Sequence, residues 1–257
     1  MIRSYECIDN PESPINNDIL NDPKLMADYA QKRVYSSLPL VPIIPICLGV
    51  EFENGRNAKP IFENIEDVIL SMDYSKKEYR IMLDALEIID PSKTVIEIRG
   101  PLSVLDNLLG ATKIMRAMRK NREKLRSLYD NLSDIYIDYI KIMLDKNVKV
   151  LSFTESILDV KVLGPREVKN YVDDFLIKFL PRVLDLQKQY DFTFHLCPKS
   201  SLALIDLEKA EFSSIEYNYP KKYIDILYGE KSLMGDRCIN LANKKFKNVN
   251  KIILKEA

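Results

Sequence analysis

Three short strand-like runs constrain the fold more than anything else in the chain: "TVIEIR" (94–99), which alternates, "VKVLSF" (148–153), which is β-branched and apolar, and "FTFHL" (192–196). Each is followed by a stretch with helical spacing of apolar residues. A strand that is apolar along its whole length must be covered on both faces, and strands separated by helices pair in parallel through crossovers. The expected class is therefore α/β with a parallel sheet. "FSSIEY" (212–217) reads as a further strand. Among the helices, "SKKEYRIMLDALEIID" (75–90) places Tyr79, Met82, Leu83 and Leu86 on one stripe. Residues 102–146 read as helical, and "GPREVKNYVDDFLIKFLPRVLDLQKQY" (164–190) as a helix pair pivoting near Pro181.

The flanking segments are less regular. Residues 1–37 read as an arm containing a helix around "DPKLMADYAQKRVYSS", followed by a proline-broken extended run, "LPLVPIIPICLGV" (38–50). "ENGRNAKP" (53–60) reads as a loop, "NIEDVILSM" (64–72) as a short helix capped by Asn64, and the C-terminal "NKKFKNVNKIILK" (243–255) as a solvated basic helix face. No linker or repeat divides the 257 residues, so one domain over 1–257 is expected.

Composition excludes several classes. Lys+Arg and Asp+Glu both number 38, so no basic excess is available to displace counterions from a nucleic acid. The start lacks the apolar core of a signal peptide, and the most apolar run is too short and too rich in proline to span a bilayer. Four scattered cysteines do not make a disulfide framework. These features suggest a cytoplasmic, reduced protein with no membrane partner. Neither a G-x-G-x-x-G nor a phosphate-binding G-x-x-x-x-G-K-[ST] loop occurs.

Candidate site residues gather at the C-terminal ends of the expected strands: Glu97 and Arg99, Glu155, His195 and Cys197, and Glu216. In α/β folds that rim is where ligands bind. His195 is the only histidine in the chain and stands two positions before Cys197, so on an extended segment both side chains share a face. Imidazole and thiolate are the donors Zn²⁺ favours. Taken alone, the pair reads first as a buried histidine beside an inert cysteine, since a metal needs further ligands. Cys238 and Glu216 are the available ones, while Cys7 and Cys47 lie apart in the N-terminal region and Cys47 reads as a core filler. A nucleophilic Cys197–His195 pair lacks an orienting partner. Glu97 and Arg99 read either as an inward ion pair or as a contact to a substrate anion, and Glu155 as either site-lining or structural. Tyr139, Tyr217 and Tyr219 read as packing.

Several motifs together resemble the uroporphyrinogen decarboxylase superfamily, within it the zinc-dependent corrinoid:thiol methyltransferases of coenzyme M type. They are "DPKLMADYA", "PIIPICLGVEFENGRNAKPIFENIEDVILS", "IEIRGPLSVLDNLLG", and "LGPREVKNYVDDFLIKFLPRVLDLQKQYDFTFHLC" with its terminal His-x-Cys. The resemblance implies a (βα) TIM-like barrel, shortened relative to eight full units. It also implies zinc on His195, Cys197 and Cys238, with Glu216 beside the metal and Glu216 and Glu155 as catalytic carboxylates. The implied reaction moves a methyl group from a methylated corrinoid, held on a carrier protein, to a small thiol bound as thiolate. The Arg-rich "RQAGRY" opening of the decarboxylase branch is missing, which disfavours porphyrin decarboxylation. A decarboxylase-like lyase, a barrel that binds a corrinoid or partner without transfer, and a homodimeric assembly are left open.

Overall fold

The computed structural model describes residues 1–6, 15–53, 56–57 and 59–255; Cys7 and part of the 53–60 loop lie outside them. The N-terminal region forms α1 (Asn17–Asn21) and α2 (Pro23–Lys32). Asp22 caps α2 by accepting from Lys24 N at 2.8 Å, and Pro23 takes the first helical position, where no amide hydrogen is missed. Next come β1 (Ser37–Leu38), α3 (Ile43–Cys47), the small hairpin β2 (Phe52–Glu53) and β3 (Arg56–Asn57), and α4 (Lys77–Ile88).

The sheet then grows by regular alternation. β4 (Val95–Arg99) leads into α5 (Pro101–Leu109), α6 (Ala111–Lys120) and α7 (Arg122–Asp145). β5 (Val150–Thr154) is followed by α8 (Val160–Leu163), α9 (Pro165–Tyr171) and α10 (Ile177–Gln187), with one π turn at Val172–Leu176 between the last two. β6 (Thr193–Leu196) precedes α11 (Pro198–Asp206). The chain closes with β7 (Ala210–Lys222), α12 (Tyr223–Glu230), β8 (Leu233–Met234) and β9 (Lys245–Leu254).

Strand order is β1-β4-β5-β6-β8-β9-β7. The first five strands run parallel, as in a (βα)-barrel wall, whereas β9 pairs antiparallel with both β8 and β7. β1 and β7 stand at the two ends of the strand order. The barrel is thus shortened, and its last parallel units are replaced by a two-stranded ribbon.

Side chains alternate between the two faces of the wall. Ile96, Ile98, Leu151, Phe153, Phe194 and Leu196 point outward into the main core with the helices, where Phe153 packs on Tyr136, Phe175 and Phe179. Val95, Val150 and Met234 point inward, into a smaller core with Tyr35, Tyr223, Ile226, Leu227 and Val249. Three of these residues, Tyr223, Ile226 and Leu227, come from α12, which therefore fills the concave side of the sheet.

Four local expectations are corrected. The 38–50 run is not extended: after β1 and the bend at Pro39–Pro42 it coils into α3, with Pro42 as its N-cap and Pro45 in the third position, where the ring removes no helical hydrogen bond. Residues 64–72 make only a single 3₁₀ turn, Ile65–Asp67. Helices α9 and α10 join through the π turn, and Pro181 lies inside α10. The basic C-terminal segment is strand β9 and not a helix.

Candidate functional site

Register places three inner-face polar residues in one row: Glu97 on β4, Ser152 on β5 and His195 on β6, with Met234 on β8 beyond them. Below the row lie Val95, Val150 and Thr193; above it, toward the strand C-termini, lie Arg99 and Thr154. The row is polar because it carries a hydrogen-bond chain. His195 Nε2 lies 2.9 Å from the Arg237 carbonyl, which can only accept, so this nitrogen carries the proton. Nδ1, 3.0 Å from Ser152 Oγ, must then accept from the serine hydroxyl. His195 is fully buried, with the Tyr223 ring 6.0 Å away edge-on, and burial lowers its pKa to about 4. The ring is neutral at physiological pH and has no lone pair left to give.

The turn holding Arg237 is fixed from several sides. Gly235 passes so close to β6 that a Cβ there would lie 2.8 Å from the Leu196 carbonyl, and its own carbonyl accepts from Ser201 Oγ. Asp236 accepts from the backbone and side-chain nitrogens of Asn250, at 2.8 and 3.1 Å. The Arg237 guanidinium donates to the Asn248 carbonyl at 2.9 Å and lies over the Phe246 ring.

This geometry decides the fate of the expected metal ligands. His195, Cys197 and Cys238 do come into one neighbourhood, since Cys238 directly follows the carbonyl that His195 contacts, and both thiols are buried. Glu216 does not join them. It lies within β7 on the ribbon, opposite Asn248, with its side chain mostly exposed and 3.1 Å from Lys247 Nζ. Among the described residues no three His, Cys, Asp or Glu side chains form a group able to hold a metal ion. With both ring nitrogens of His195 engaged and the 235–238 turn pinned, the donors do not fit zinc. Cys47 is a core residue, its thiol pushed up to about 12 chiefly by burial.

Glu155 also has a different task. Its carboxylate accepts from the backbone nitrogens of Leu102 (2.8 Å) and Ser103 (3.1 Å), from Ser103 Oγ (2.6 Å) and from the Tyr171 hydroxyl (3.3 Å). The first two are unpaired donors at the start of α5, so Glu155 caps that helix from a neighbouring loop. Complete burial raises its pKa to about 7 in spite of these donors.

What the sequence does not reveal is a cavity of about 370 Å³ at the C-terminal ends of β1, β4 and β5. Its apolar wall is Pro39–Pro45; its polar wall includes Arg33, Glu97, Arg99 and Thr154, and Tyr139 lines it from α7. Glu97 is not paired with Arg99. Its carboxylate takes Arg33 at 3.5 Å and the Tyr35 hydroxyl at 3.2 Å. The place of Arg99 and Glu97 at a strand end marks them in the sequence, but the residues facing them come from a segment with no strand signal.

A barrel wall with inward polar layers and a cavity at the strand C-termini defines the class: a (βα)-barrel with open space at its rim. The uroporphyrinogen decarboxylase (URO-D) family model matches residues 36–243, and the chain belongs to that family. Its fold is also similar to a solved methyltransferase from Methanosarcina mazei, with a TM-score of 0.57 and 18% identity over 74% of this chain. The chain spans 61% of that methyltransferase. A search of curated proteins returned no match. No helix among the described residues is long and apolar enough to cross a membrane.

Proposed function

We propose that this chain is a methyltransferase-type member of the uroporphyrinogen decarboxylase family that seats a small acceptor in the rim cavity and receives the methyl group from a donor docked over its mouth. The observation that carries this reading is the cavity itself, at the strand ends where barrels of this class hold their ligands. Its 370 Å³ suits a small acceptor and is too small for a corrinoid ring, which is larger than the ligands such pockets enclose. A methylated corrinoid, carried on a partner protein, would therefore present its methyl from outside. With a thiol as acceptor, the sulfur–carbon bond forms as the bond between methyl and donor breaks, and the thiol proton passes to solvent. The similarity in fold to a methyltransferase supports the reaction type. The scheme assigns zinc no part, since the two ring nitrogens of His195 are engaged by Ser152 and the Arg237 carbonyl.

The test mixes the purified chain with methylcobalamin and either 2-mercaptoethanesulfonate or homocysteine, and follows the methylcobalamin absorbance. The expected result is a thiol-dependent loss faster than without protein and unchanged by a chelator. No acceleration with either thiol favours a second reading, a barrel that binds without transferring. The observation behind that reading is that the inner-face histidine is sealed and Glu155 is occupied as a helix cap.

A further inference from the structure

We propose that Glu155 is the proton acceptor of the rim cavity, reached from it through the hydroxyls of Ser156 and Ser103. This rests on the cavity being the site of methyl transfer, and it assigns a path to the proton that the methyl acceptor loses.

The direction of the hydrogen bonds carries it. Glu155 is fully buried and does not itself line the cavity, but Ser103 and Ser156 do. A carboxylate only accepts, so Ser103 Oγ gives its proton to Glu155 Oε1 at 2.6 Å. With its proton committed, the same oxygen accepts from the Ser156 hydroxyl, 3.3 Å away. Ser156 is exposed, and its oxygen can accept in turn from a ligand. Every donor in the row therefore points one way, from the cavity to the carboxylate. Capping of α5 does not account for this row. The cap is made by the backbone nitrogens of Leu102 and Ser103, and the onward contact from Ser103 to Ser156 adds nothing to it.

The surroundings suit a group that gains and loses a proton. The titratable side chains acting on Glu155 from the elements packed against it are Arg99 of β4, Tyr129 and Tyr136 of α7 and Tyr171 of α9, and burial keeps the three tyrosines neutral. Desolvation brings the carboxyl to about 7, the range in which a general base serves best near neutral pH. With a thiol in the cavity, the sulfur–hydrogen bond breaks as the sulfur–carbon bond forms. The thiol proton goes to Ser156 Oγ, Ser156 passes its own to Ser103, and Ser103 passes its own to Glu155. The bond between methyl and donor breaks with its electron pair staying on the donor. The carboxyl then returns its proton to solvent along the same hydroxyls.

A pH jump followed by time-resolved infrared absorption of the protonated carboxyl, on the whole chain without thiol or methyl donor, tests the path. The band that is lost in Glu155→Gln reports this residue. In wild type it is expected to fade as pH rises through about 7. Ser103→Ala and Ser156→Ala should each slow its exchange at least about 10-fold, because proton transfer needs a partner within hydrogen-bond reach. Ser156→Thr, which keeps a hydroxyl, should restore the rate. A carboxyl that only caps a helix would exchange at one rate in all of these variants. Ser156 is exposed, so its variants decide should Ser103→Ala not fold. No band assignable to Glu155, or an unchanged rate in the folded variants, overturns the proposal. Because the infrared signal needs no turnover, a working path in a protein that transfers no methyl group upholds this inference while removing the functional reading.

Discussion

The carboxyl group of Glu155 is fully buried and has four donors aimed at it. Burial outweighs the donors and raises its pKa from 4.5 to about 7. Between these values the native state holds a proton that the unfolded chain has released, so this residue's contribution to stability is complete below pH 4.5 and is lost as pH rises through 7. His195 acts in the opposite sense: its pKa falls from 6.5 to about 4, so its contribution is complete above 6.5 and is lost as pH falls through 4. The two partly cancel in the wild-type curve, and a variant separates them. In Glu155→Gln, urea unfolding at pH 5 and 7 should show stability rising more with pH than in wild type, by at most about 1.4 kcal/mol per pH unit. Identical pH profiles would show that the carboxyl does not titrate in this range.

At the scale of elements, the start of α5 depends on the approach between Gly100 and Glu155. A Cβ on Gly100 would lie 2.4 Å from Glu155 Oε2, and the carboxylate is held from four sides. Gly100→Ala is expected to cost about 2–3 kcal/mol or more through overpacking and loss of the cap. Gly229 in α12 meets nothing within 4 Å, so Gly229→Ala should stabilise by about 0.5–1 kcal/mol. Differential thermal unfolding of the two variants checks both signs. The same elements show what could be read from the chain alone. Strands β4, β5 and β6 were legible because runs such as "VKVLSF" are β-branched and buried on both faces. Strand β9 was not, because the ribbon is wet along most of its length and its lysines break the alternation that marks a half-buried strand. The 38–50 run misled because three prolines suggest extended chain, whereas one of them starts a helix. Arg99 could be flagged from its strand end, but its cavity depends on that misread segment folding over it.

For the molecule as a whole, the shortened wall raises the question of what shields its concave face. The answer is α12: Tyr223 is fully buried against His195 and Phe246, and Ile226 and Leu227 complete the inner core. Tyr223→Ala is expected to cost about 3–5 kcal/mol and to admit water to His195. A loss under 1 kcal/mol on chemical denaturation would mean that the helix does not support the inner face. This plug also explains why the site moves outward. With the centre of the barrel filled and its histidine sealed, the cavity at the strand ends lies at the rim under Pro39–Pro45.

The central claim, that His195 is a neutral core residue closed to metal and that the barrel works at its rim, has a direct test because the chain contains one histidine. In ¹⁵N-labelled, untagged protein at pH 7 the imidazole region of a long-range ¹H–¹⁵N correlation spectrum contains a single ring. The expected spectrum shows a protonated Nε2 and an unprotonated Nδ1, both unmoved by stoichiometric zinc. A ring nitrogen that shifts to a metal-bound position when zinc is added would contradict it.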